Sequence, residues 1–184
     1  PDTSRSMGAF YSGLYPNRNG CREIEHYPRV YLETENHIFR FFREQQHRIY
    51  IFATPVNSRK QFPEHVFDYS YLSYDPLEMM KQVRKDREEN SIAFMTIEDY
   101  HGSIGLSPTA AIGDRIGQLH LSNTFSQIFD IISPDYWDHI FIFSDHGCKF
   151  YNEPRRGLDV LDYDRTGITL FWHRKGDKKL SKND

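Results

Sequence analysis

Four short, mostly apolar runs limit what this chain can fold into: residues 49–53 (IYIFA), 91–97 (SIAFMTI), 140–143 (IFIF) and 167–172 (GITLFW). Runs of this length with little polar alternation suit strands that are buried on both faces. The segments between them have the helical period instead. Residues 35–47 set Ile38, Phe41 and Phe42 at i, i+3 and i+4, which predicts a helix with one buried face. Asp75 followed by Pro76 reads as an N-cap with proline at the first helical position. That helix is expected to run to about residue 89 with Leu77, Met80 and Val83 inward. Residues 110–132 carry Ile112, Ile116, Leu119, Phe125, Ile128, Phe129 and Ile132, the broad apolar face of a long helix. Residues 6–14 suit a short buried helix closed by Gly13, residues 17–28 a loop, and residues 56–74 an irregular stretch around Pro63. Helices alternating with buried strands predict an α/β domain with a mainly parallel sheet.

The totals agree with one globular unit. A chain of 184 residues, 38% hydrophobic and 15% aromatic, can bury a single substantial core. Its net charge is −3, and its lysines and arginines form no broad basic face, which excludes nucleic acid as the expected partner. The basic tail over residues 174–182 is short, is interrupted by Asp177, and reads as a solvated end. Cys21 and Cys148 form no metal-binding pair by spacing, and they leave the redox compartment open. No apolar run reaches the roughly 18 residues of a membrane span. The chain opens on Pro1-Asp2-Thr3 rather than on methionine, so a fragment or processed product is expected.

Parallel α/β sheets place ligand sites beyond the carboxyl ends of their strands. Glu98, Asp99 and His101 follow the run at 91–97; Ser144, Asp145, His146 and Gly147 follow the run at 140–143. His173 follows the fourth run and is a third candidate. Carboxylate and neutral imidazole together suit zinc, manganese or a similar divalent ion. Turn-capping for Asp145 and simple exposure for His146 is the competing account. Thr3 stands just before the first expected helix, where backbone N–H groups favour an anion and a hydroxyl would meet a phosphate or sulfate group. Capping by Thr3 or Ser4 is the other use of a hydroxyl there. Arg5 and Arg18 read as solvated loop arginines, Asp164 and Arg165 as a local pair, and Cys148 as a small buried residue. His26, His37, His47, His65, His120 and His139 have no partner at ligand spacing and read as surface or core residues.

Residues 3–20, TSRSMGAFYSGLYPNRNG, resemble the nucleophile segment of the alkaline phosphatase/sulfatase superfamily. That segment has a nucleophile, a glycine ten residues on, then Tyr-Pro, a basic residue and a further glycine. Thr3, Gly13, Tyr15, Pro16, Arg18 and Gly20 follow this order. Residues 140–147, IFIFSDHG, resemble the strand-plus-metal motif of the same superfamily. The resemblance implies a three-layer αβα sandwich with a mainly parallel central sheet, in which residues 1–184 form a single, incomplete alkaline-phosphatase-like domain. It also implies roles: Thr3 as a nucleophile that touches a metal, Asp145 and His146 as ligands of that metal, and Asp99 and His101 in the region of a second ion or a substrate-binding histidine. Sulfatases carry a cysteine or serine followed by proline and arginine, whereas Ser4 and Met7 stand in those places here.

The expected function is therefore a metal-dependent hydrolase or transferase acting on phosphate esters through Thr3. A sulfatase-like hydrolase of sulfated sugars, or a non-catalytic binding module that keeps the fold, stands as the alternative. The implied cofactor is a divalent metal, zinc or manganese first and calcium or magnesium next. The implied partner is an anionic ester substrate, and strand edges left open in an incomplete sheet would favour self-association.

Overall fold

The structure, a computed structural model, describes residues 3–20, 37–55, 62–86, 90–98, 110–144 and 170–177. Helix α1 (Thr3–Ser12) is followed by the single turn α2 (Pro16–Asn19), helix α3 (Ile38–Glu44) and strand β1 (Arg48–Ala53). A 3₁₀ turn (Glu64–Val66) leads to strand β2 (Tyr69–Leu72), helix α4 (Pro76–Asp86) and strand β3 (Ser91–Met95). The long helix α5 (Ala110–Ile131) and a 3₁₀ turn (Pro134–Tyr136) precede strands β4 (His139–Phe143) and β5 (Leu170–Arg174).

β1 is the middle strand of a three-stranded parallel sheet, ordered β2-β1-β3, with Tyr50 opposite both Tyr69 and Ala93. From Ile49 onward every residue of β1 is buried, the pattern of a strand covered on both faces. Its alternate residues go to opposite sides. Ile49, Ile51 and Ala53 pack with Tyr11 of α1, Phe39 of α3, Phe62 and Val66. Tyr50 and Phe52 pack with Met79 and Val83 of α4 and with Ile132, just past α5. Helices thus lie on both sides of β1.

Several expectations hold in detail. Asp75 caps α4, its Oδ1 accepting from the N–H of Leu77 at 2.8 Å and of Glu78 at 3.4 Å. Gly13 ends α1 in the left-handed region, at φ +67°, with its N–H bonded to the carbonyl of Ala9 at 2.8 Å. A Cβ there would meet nothing within 4 Å, so it is the backbone angle and not lack of space that favours glycine.

Other expectations are corrected. The stretch at 56–74 contains strand β2, whose residues are only half buried and so lack the apolar run that marks a central strand. In α3 the fully buried residue is Phe39, flanked by Ile38 and Phe42, while Phe41 is 57% exposed. Two residues along a helix turn the side chain by about 200°, so burying Phe39 sends Phe41 outward. α4 buries Met79 and Val83 more deeply than Leu77 or Met80. In α5 the apolar face is divided: Ile128 is buried and Ile132 beyond its end is too, whereas Ile112, Ile116 and Leu119 are exposed. The expected mainly parallel sheet is seen in β1, β2 and β3, while among the described residues β4 and β5 form a separate antiparallel pair.

Candidate active site

Thr3 is the first residue of α1 rather than the residue before it. The N–H groups of a helix's first turn have no partner within the helix, so an anion-favouring end begins at Thr3. The far end of α1 is fixed by a small buried network. Ser12 Oγ donates to the carbonyl of Gly8 at 2.7 Å and accepts from the N–H of Leu14 at 3.2 Å. Asn19 Nδ2 donates to Ser12 Oγ at 3.2 Å and to the carbonyl of Leu14 at 3.1 Å. Asn19 is 2% exposed, and Gly20 after it takes φ +73°. Proline opens α2, and one glycine in the left-handed region ends each of the two helical pieces. The spacing over residues 13–20 is thus a folding device as well as a signature: two left-handed glycines and one buried amide turn the chain back on α1.

Aromatic contacts join α1 to both strands that precede the Asp/His pairs. Phe10 meets Phe143, the last residue of β4, with ring centroids 4.6 Å apart. Tyr11 meets Phe94 near the end of β3 at 6.3 Å, edge to face, and also meets Phe39 at 5.1 Å with the rings tilted. Because β1 runs parallel to β2 and β3, their three carboxyl ends share one edge of the sheet. At that edge Thr54, 3% exposed, donates from Oγ1 to Glu98 Oε1 at 3.1 Å.

Asp99, His101, Asp145 and His146 lie outside the described residues. Among the described residues no group of three or more His, Cys, Asp or Glu is placed to hold a metal ion. The four expected ligands, two carboxylates and two imidazoles, are a donor set that suits a borderline divalent ion such as zinc. His173, by contrast, does not join them. It lies within β5 opposite Ile140, and since β5 runs antiparallel to β4 it sits toward the start of β4, away from the end that leads to residue 145. Its Nε2 is 3.6 Å from Asp135 Oδ1, beyond hydrogen-bond reach.

The remaining described histidines have local roles. His37 is the N-cap of α3, its Nδ1 accepting from the N–H of Arg40 at 3.1 Å. Partial burial, then the charges of Arg40, His65 and Arg43, hold its pKa below the usual histidine value. His139 Nδ1 accepts from Trp172 Nε1 at 3.3 Å, and the two rings stack at 6.0 Å. Sequence reasoning missed the Ser12–Asn19 network and the Thr54–Glu98 bond. The second was within reach: the rule applied to the other strand ends, asked of residues 49–53, points straight at Thr54.

No family model and no curated protein matches the chain. Among solved structures, the crystal structure of the C-terminal periplasmic domain of EcEptC from Escherichia coli, in complex with Zn, is similar to it. The TM-score is 0.64 and the identity 12%, over 96% of this chain. The chain spans 59% of the length of that neighbour. The likeness is one of fold: mixed α/β, with a parallel three-stranded sheet and helices packed on it.

Proposed function

We propose that this chain belongs to a metal-dependent enzyme of the alkaline phosphatase/sulfatase superfamily that hydrolyses or transfers phosphate esters, with Thr3 as nucleophile. In this reading Asp145 and His146 hold the metal that Thr3 touches, Asp99 and His101 serve a second ion or the substrate, and the whole is a three-layer αβα sandwich. One observation supports it above the others: α1, whose first residue is Thr3, packs through Phe10 and Tyr11 onto the ends of the two strands that lead to those pairs. Phe10 lies seven helical steps beyond Thr3, a rise of about 10 Å. Two extended residues beyond Phe143 reach roughly 7 Å. Lengths of that order are compatible with one ion reached by both Thr3 and Asp145. A fold shared with a domain crystallised as a zinc complex supports a divalent metal, with zinc first.

The chemistry then follows from the chain's own groups. The Thr3 hydroxyl gives up its proton and Oγ1 attacks phosphorus; the bond to the leaving oxygen breaks and the alcohol departs with the electron pair and a proton. Free N–H groups in the first turn of α1 stabilise the negative charge that builds on the phosphoryl oxygens. Water, or an acceptor alcohol, then attacks the phosphothreonine and restores the hydroxyl, giving hydrolysis or transfer respectively. A bound divalent ion would lower the pKa of the hydroxyl and neutralise phosphoryl charge. With threonine rather than a formylglycine precursor at the nucleophile position, phosphate is favoured over sulfate.

Metal content by mass spectrometry and turnover of paired aryl phosphate and aryl sulfate esters test the reading. Near-stoichiometric zinc is expected in the wild type and is lost in Asp145→Ala and His146→Ala. Phosphate turnover is expected to vanish in Thr3→Ala with zinc retained. Sulfate turnover without phosphate turnover would assign the chain to the sulfatase-like alternative. Absence of zinc after reconstitution would leave a non-catalytic binding module.

A further inference from the structure

We draw no further inference here: the strongest candidate, the exposed aromatic face of the β4–β5 pair where Phe141 and Trp172 stack 6.2 Å apart beside His139, is an unpartnered sheet face, and nothing in the structure shows what covers it.

Discussion

Among single residues, His37 shows how one side chain can serve a local fold and respond to pH. As N-cap of α3 it uses Nδ1 to accept the N–H of Arg40, which requires that nitrogen to be unprotonated. Burial and its neighbours Arg40, His65 and Arg43 depress its pKa in the folded protein. The folded state therefore takes up a proton less readily than the unfolded chain does. The sign follows: the cap contributes fully above the ordinary histidine value of about 6.5 and is lost as pH falls through the lower, folded value. Arg43, one of those charges, donates to the carbonyl of His65 at 2.8 Å and lies 3.8 Å from Asp68 Oδ1. His37→Asn supplies a cap that does not titrate. Urea unfolding at pH 7.5 and pH 5 is expected to show a smaller drop in midpoint for His37→Asn than for the wild type. Equal drops would mean that the cap bond carries none of the pH dependence. The sequence could not show this role, because histidine is an uncommon N-cap and its partner is a backbone N–H with no signature. Thr3, Asp145 and His146 stood out as candidates for the opposite reason: their neighbours in the chain form a spacing that few other demands produce.

At the level of elements, the periodic signals located most of the helices and strands but not always the face they bury. Phe39 is fully buried against Tyr11, Phe62 and Phe94, with ring centroids 5.1, 6.3 and 5.0 Å away. Phe41 touches Phe42 at 5.5 Å and is otherwise largely in solvent. Phe39→Ala is expected to cost roughly 3–5 kcal/mol, as for other buried phenylalanines. Phe41→Ala should stay within about 0.5 kcal/mol of wild type. Urea denaturation of the two variants separates them, and similar losses would contradict the packing of α3 on β1. The stripe at 38, 41 and 42 predicted the helix correctly while naming the wrong phenylalanine, since two adjacent stripes overlap in so short a segment. Strand β2 was missed because an edge strand needs no long apolar run. The antiparallel pairing of β4 with β5 was missed for a different reason. Strand direction is decided by chain paths between elements, and a local apolar run carries no record of it. That one error also misplaced His173.

For the molecule as a whole, the question is what brings α1, the end of β3 and the end of β4 to one place and keeps them there. Phe10 and Tyr11 supply apolar contact between them. In the proposed function a divalent ion adds a second tie, between Thr3 and the Asp145–His146 pair, with Asp99 and His101 at a second ion or the substrate. An ion held only by the folded protein stabilises it by mass action, by about 2.7 kcal/mol when free metal is one hundred times its dissociation constant. For a chain of this size each kcal/mol moves the melting temperature by roughly 2–4 °C. Zinc is then expected to raise the melting temperature by roughly 5–10 °C, and EDTA to reverse it. Zinc can also bind stray cysteines and histidines, so the control is Asp145→Ala, which leaves Cys21, Cys148 and all nine histidines in place. Scanning calorimetry of the two proteins, each with zinc and with EDTA, decides the matter. A rise confined to the wild type locates the stabilising ion at Asp145. An equal rise in both would assign it to adventitious sites, and the tie between α1 and the end of β4 would then consist of aromatic packing alone.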